Sequence, residues 1–132
     1  VTFGPLGAGA GNRYVRLILT NSGASCRTRG YVGLQLLGPG GQLVPTDVVR
    51  DYATPAAALV VATGAEASAR LHWGAIPAGN EPQSGPCEPV PQQVEVTPPN
   101  DFQFTVAPWT FGAVCERGRI NAGPLQAGVP SP

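Results

Sequence analysis

Catalysis by proton transfer or nucleophilic attack needs an imidazole, a spaced pair of carboxylates or an activated thiol. This chain offers one histidine, eight carboxylates and three cysteines. His72 lies in Glu66-Ala-Ser-Ala-Arg-Leu-His-Trp73, where Ala67, Ala69, Leu71 and Trp73 share one side of an extended strand. His72 is therefore expected to face outward with Arg70 and Ser68, as an ordinary surface histidine rather than a base. The carboxylates, Asp47, Asp51, Glu66, Glu81, Glu88, Glu95, Asp101 and Glu116, are scattered along the chain. Asp47 and Asp51 share a face of a short strand, but Val48, Val49 and Arg50 between them suit a solvated edge better than a catalytic pair. No Gly-x-Ser-x-Gly elbow occurs, and Ser22-Gly-Ala-Ser25 reads as a turn. The Gly-rich stretches Gly4 to Gly11 and Gly38 to Gly41 lead into neither Lys-Ser/Thr nor a helix, so they read as turns or flexible lead-in, not phosphate loops. The expectation is a non-enzyme with no catalytic residue, no cofactor and no metal.

Cys26, Cys87 and Cys115 include no Cys-x-x-Cys pair, and a zinc site would have to draw on His72 and three distant loops. A Cys87–Cys115 bridge would close a loop of about 28 residues and pin a segment that has no core of its own, at about 3–4 kcal/mol in the chain-entropy treatment. It would leave Cys26 as a free thiol, an intermolecular bridge or one half of a pair whose partner is missing. The competing reading is three buried thiols in a reducing compartment. Arg27 and Arg29 flank Cys26, and Arg117 and Arg119 follow Cys115; if those loops meet at one end of the fold, they make a guanidinium-lined site for an anion or carboxylate. Trp109, with Phe111 close by, falls outside strict alternation and either caps the core or projects as a recognition anchor.

The elements that must position these groups are strands. Val15, Leu17 and Leu19 alternate with Tyr14, Arg16, Ile18 and Thr20; Val94 and Val96 alternate with Gln93, Glu95 and Thr97. Phe102, Phe104 and Val106 alternate with Gln103 and Thr105 after a Pro98-Pro99-Asn100-Asp101 turn. Shorter strands are expected at Tyr31 to Leu37, Gln42 to Val44, Val48 to Asp51, Leu59 to Ala62 and Arg119 to Leu125, with one helical turn over Ala53 to Ala58. Gly (18) and Pro (15) recur too often for a longer helix. About eight short strands, each with one apolar side, bury themselves by stacking two sheets, so the expectation is an all-β antiparallel sandwich over residues 1–125 with a flexible tail at 126–132. The segment from Gly74 to Gln92, about nineteen residues with repeated prolines, is longer than an ordinary connection and is functional or covalently tied. End loops on a rigid sandwich are where such domains carry recognition, so this segment is the first place to look for a partner.

At 132 residues and 42% hydrophobic content the chain is one domain with a core of its own. Charged residues are 12% and the net charge is zero, which disfavours electrostatic capture of nucleic acid or an anionic membrane. Every basic side chain is Arg, an alphabet that reads as codon bias in a GC-rich genome. The start at Val1 reads as a trimmed or processed product, and the longest apolar runs, such as Ala56 to Ala62, fall far short of the roughly 18 residues of a membrane span. Low charge, the absence of Met and the Gly-Val-Pro-Ser-Pro ending lean toward export.

Gly11-Asn-Arg-Tyr-Val-Arg-Leu-Ile-Leu-Thr-Asn-Ser-Gly-Ala-Ser-Cys26 followed by Arg29-Gly-Tyr-Val-Gly-Leu-Gln-Leu-Leu-Gly38 resembles the opening of an actinobacterial secreted, lipoprotein-associated domain of unknown function. Ala62 to Trp73 is similar to its central hairpin, Val94 to Pro99 to its next strand and turn, and Cys115 to Leu125 to its closing strand. The resemblance implies an immunoglobulin-like sandwich in an exported, often membrane-anchored protein, and no reaction. It also implies a further cysteine just before this chain's first residue as the partner of Cys26. The expected function is an extracytoplasmic domain that binds a protein or glycan of the cell envelope through its end loops; the alternative is a spacer or shielding domain without a dedicated ligand.

Overall fold

The computed structural model describes residues 1–99 and 103–130. Its longest strands are the two with the clearest alternation, β3 (Asn12–Thr20) and β8 (Glu66–Gly74), which pair antiparallel from Asn12↔Gly74 to Thr20↔Glu66. Around this pair lie β1 (Thr2–Phe3) and β2 (Gly7–Gly9) on β3, and β11 (Arg119–Ala122) and β12 (Gln126–Ala127) on β8, with β6 (Asp47–Arg50) outside β11. A second sheet runs in the order β10 (Thr105–Pro108), β9 (Gln93–Thr97), β5 (Gly33–Leu37), and a two-stranded ribbon pairs β4 (Cys26–Thr28) with β7 (Leu59–Val61). Val15, Leu17, Ala69, Leu71, Trp73 and Ile120 of the large sheet meet Leu36, Val94, Val96 and Ala107 of the second in one buried cluster. The all-β sandwich is thus the observed architecture.

Several local expectations are corrected. The sheet is not wholly antiparallel, because β6 and β11 run parallel, Asp47 opposite Arg119 through Arg50 opposite Ala122. The stretch expected as turn or flexible lead-in contains β2, joined to β3 through Ala10 and Gly11 at φ 50° and 80°. Two successive positive φ values give the tight hairpin whose twist matches its strands. Ala53 to Ala58 contains no helical turn; Pro55 steers Thr54 away from the helical region. Gln42 to Val44 contributes only a single bridge, Leu37 to Leu43. Beyond Leu125 the chain stays in the sheet, since Gln126 and Ala127 pair with Ser68 and Ala67, so the packed domain extends past the expected boundary.

The strand expected over Phe102 to Val106 is displaced. Asn100, Asp101 and Phe102 lie outside the described residues, while Phe104 is 55% and Val106 43% exposed. Pairing sets Ala107 against Val94, so Ala107 and then Trp109 take the inward positions and the parity is opposite to the one expected. On β8 the inward set Ala67, Ala69, Leu71 and Trp73 is buried as expected. Ser68, expected outside, is also fully buried, because the chain after β12 crosses over it and the Ser68 hydroxyl donates to the Gly128 carbonyl at 2.8 Å. Neighbouring positions of β8 should answer oppositely to truncation: Leu71→Ala is expected to cost about 2–5 kcal/mol in urea unfolding, and His72→Ala about 1 kcal/mol, the scale of the hydrogen bond it loses.

Candidate functional site

Leaving β8 at Gly74, the chain runs without regular structure until β9 begins at Gln93. Proline and glycine withhold both helix and strand, so the segment depends on specific ties to the rest of the fold. The Ala75 amide donates to the Gly11 carbonyl and the Gln92 amide to the Leu37 carbonyl, at 2.7 and 2.8 Å. Between these anchors Cys87 is bonded to Cys115, confirming the disulfide expected from the sequence.

The second internal tie is Glu81. Its Oε1 accepts from the backbone amides of Ala78 (2.8 Å) and Glu116 (2.9 Å), and its Oε2 from that of Arg117 (3.2 Å). Glu116 and Arg117 belong to the four-residue turn Cys115–Gly118 and are both left-handed, at φ 57° and 58°. Consecutive left-handed residues turn successive N–H groups toward one point, a backbone nest that favours an anion. The Glu81 carboxylate fills it. Gly118 completes the turn at φ 77° against the backbone of Pro45, where a Cβ would run into the Pro45 carbonyl.

Loop and turn together wall a cleft of about 510 Å³, lined by Ala78 to Pro82, Cys87, Glu88, Glu116 and Arg117. Desolvation raises the Glu81 pKa, but the hydrogen bond from Glu88 and those from the three amides outweigh it and bring it to about 2. Glu88 moves the other way: its hydrogen bond to Glu81, then desolvation and the Glu81 charge, raise it above the ordinary carboxylate value. The shared hydrogen bond thus moves the two carboxyl groups in opposite directions. Glu81, Cys87 and Cys115 place ligand atoms within 4.8 Å of one another, yet both sulfurs are spent in the disulfide and the trio offers a metal no thiolate.

The residues singled out in the sequence are distributed as follows. Trp109 is 3% exposed and is a core residue, not a projecting anchor; its indole N–H donates to the Gly112 carbonyl at 2.9 Å. Trp73, Trp109, Phe111 and Phe3 form an aromatic cluster, with Trp73 and Trp109 centroids 5.0 Å apart and Phe111 5.1 Å from Trp109. Phe111 also lines a cleft with Pro77, Pro86 and Cys87, so it borders the long loop. The two arginine clusters are not gathered in one cleft: Arg27 lines one with Cys26 and Leu125, and Arg117 lines the one described above. Arg29 and Arg119 are exposed, and Cys26 is an exposed free thiol. His72 is half-buried, stacked on Tyr14 at 4.6 Å with Nε2 2.8 Å from the Asn12 amide oxygen. Desolvation and then Arg70 lower its pKa, against smaller opposing effects of Asp51 and Glu116. Sequence reasoning missed Glu81, Glu88 and the left-handed turn. Glu116-Arg-Gly118 carried a weak signal in its glycine, but nothing in the sequence marks a carboxylate for backbone partners 35 and 36 residues away.

Residues 1–126 match a family described as a domain of unknown function, DUF4232. The chain belongs to this family. No curated protein and no solved structure matches it.

Three outcomes test this arrangement. Replacing Cys87 and Cys115 together with serine should lower the unfolding free energy by about 3–4 kcal/mol. The folded-state pKa of Glu81 lies below its ordinary 4.5, so its contribution to stability is complete above that value and fades as pH falls toward about 2. Acid titration followed by tryptophan fluorescence should therefore show that Glu81→Gln loses less stability across this window than the parent. Amide exchange at Ala78, Glu116 and Arg117 should be about tenfold faster in Glu81→Gln at neutral pH, the equivalent of one charge-assisted hydrogen bond.

Proposed function

We propose that this domain is an exported, non-enzymatic binding module that meets a protein or glycan of the cell envelope through the cleft between the 75–92 loop and the Cys115–Gly118 turn. The observation that carries this reading is the Glu81 carboxylate, held by three backbone amides so that a long proline-rich loop becomes a fixed wall beside a disulfide. A connection across one end of a sandwich needs only a few residues. A longer one that is cross-linked, hydrogen-bonded to a turn and bordered by Phe111 presents a preorganised surface, which lowers the ordering cost of binding. The cleft displays Asn80, Glu88, Glu116 and Arg117, a polar lining suited to hydroxyl-rich or peptide ligands.

Export is supported by the disulfide, which requires an oxidising compartment to form and persist. Among the described residues no helix is long and apolar enough to cross a membrane. Actinobacterial origin and lipoprotein association rest on the residue resemblance and belong to the same proposal.

The immobilised domain should retain material from a cell-envelope glycan and protein fraction, and Asn80→Ala with Arg117→Ala should abolish retention while leaving the melting temperature within about 2 °C, as exposed substitutions do. Retention unchanged in the double variant, or none by the parent, would move the reading to a spacer domain. Turnover of any envelope substrate that disappears in His72→Ala would refute the non-enzymatic assignment.

A further inference from the structure

Where the large sheet ends in β6 and the second sheet in β5, an aromatic corner stands in solvent. Arg50 closes β6, the outermost strand of the large sheet, and Tyr52 follows two residues later. Tyr31 precedes β5, the outermost strand of the second sheet. The three side chains meet: Arg50 Cζ lies over the Tyr31 ring, 5.0 Å from its centroid, and the Tyr31 and Tyr52 rings stand at 75° with centroids 5.7 Å apart. None of them lines the loop cleft.

The chain fixes this corner from behind. The Asp51 amide donates to the Ala122 carbonyl at 2.8 Å, and an Asp51 carboxylate oxygen accepts the Ala53 amide at 2.9 Å, so Tyr52 is the middle residue of a closed Asx turn. Val32, 3% exposed, roots Tyr31 in the core, and the Gly30 carbonyl before it accepts the Leu125 amide at 2.8 Å. Tyr52 is nevertheless 72% exposed, so its own burial does not account for a ring held in this position. Arg50 is exposed as well, and among the described residues its guanidinium has neither a hydrogen-bond acceptor nor an ion pair. The Tyr31 and Tyr52 hydroxyls have no protein partner among those residues either.

We propose that this corner binds a pyranose ring of a glycan. Such a ring carries C–H groups on its faces and hydroxyls around its rim. The C–H face packs on the exposed Tyr52 ring, a large rigid surface that loses little conformational freedom on binding. The rim meets the polar groups: the Arg50 guanidinium, whose face rests on Tyr31 and whose N–H donors therefore lie in a fixed plane, and the phenol hydroxyls, which both donate and accept. A wholly apolar ligand would strip water from the guanidinium and return no acceptor, and a cation would be repelled by it. A ring rimmed with hydroxyls satisfies both conditions. The site is separate from the loop cleft, so either reading can fail without the other.

Maltotetraose and cellotetraose, α- and β-linked chains of one hexose, are the probes, titrated into the whole domain and followed by proton–carbon spectra of the tyrosine rings. Saturable shifts with at least one of them, at a roughly millimolar dissociation constant, are expected for Tyr31 and Tyr52. Tyr14, three strands from β6 in the large sheet, should not move. Tyr52→Ala is expected to weaken binding at least tenfold and Tyr52→Phe by no more than about threefold, because the ring face rather than the hydroxyl carries the stacking. Both variants should melt within about 2 °C of the parent, since the side chain is exposed. The Asn80→Ala, Arg117→Ala variant of the loop cleft should bind the sugars as tightly as the parent. No saturable shift with either sugar, unchanged affinity in Tyr52→Ala, or affinity lost in the loop-cleft variant would overturn the site. A blocked tetraglutamine peptide that shifts the same signals at lower concentration than either sugar would overturn the assignment to a glycan.

Discussion

Every feature of this domain is referred to one ladder, the nine-residue antiparallel pairing of β3 with β8. A strand sends successive side chains to opposite faces, so once Val15 sits opposite Leu71, all the residues of both strands are assigned to the inside or the outside together. Inside, Val15, Leu17, Ala69, Leu71 and Trp73 supply one wall of the core. Outside, the same register stacks Tyr14 on His72 and brings Arg16 face to face with Arg70. The polar strip is therefore not an independent design; it is the reverse side of the packing solution. A slip of one residue would turn Tyr14 and His72 inward and expose Leu71 and Trp73.

The irregular half of the molecule is stabilised differently. Segments rich in proline and glycine bury little of their own surface and cannot satisfy their amides in ladders, so their order has to be imposed from outside. Here it is imposed by a covalent bridge, by the Glu81 carboxylate standing in for the missing amide acceptors, and by Phe111, which borders the loop from the aromatic cluster. These are fixed contacts, and they turn a connection into a surface. Glu81 and Glu88 add an electrostatic asymmetry to it: the carboxyl group with backbone donors is shifted down, and its neighbour, which shares a hydrogen bond with it and feels its charge, is shifted up. In this member of a family described only as a domain of unknown function, the cleft gathers polar groups around a carboxylate fixed by backbone donors.

Much of the scaffold was legible in the residues, and the boundary of that legibility is physical. Alternation in Tyr14 to Thr20 and Glu66 to Trp73 locates the two principal strands because period two has no other reading at that length. The same rule misassigned Phe104 and Val106, since a short alternating run fits either parity and only the partner strand chooses between them. It misassigned Ser68 as well, because a polar residue on an outer face is buried when a later segment crosses over it. Trp109 was ambiguous for the related reason that its Pro108–Thr110 neighbours follow no period; its place among Phe3, Trp73 and Phe111 settles it in the core.

By itself the sequence determined the fold class, the principal strands and the irregular character of the long loop, because these follow from side-chain type and short-range spacing; the Cys87–Cys115 bridge it offered as one of two readings, and the structure decided for it. Tertiary structure alone decided that Glu81 reaches the amides of Glu116 and Arg117, that Arg16 and Arg70 pair across one ladder, and that β6 runs parallel to β11. Each of these joins residues remote in the chain through backbone groups or strand register, and neither a backbone amide nor a register leaves a mark in the order of the side chains.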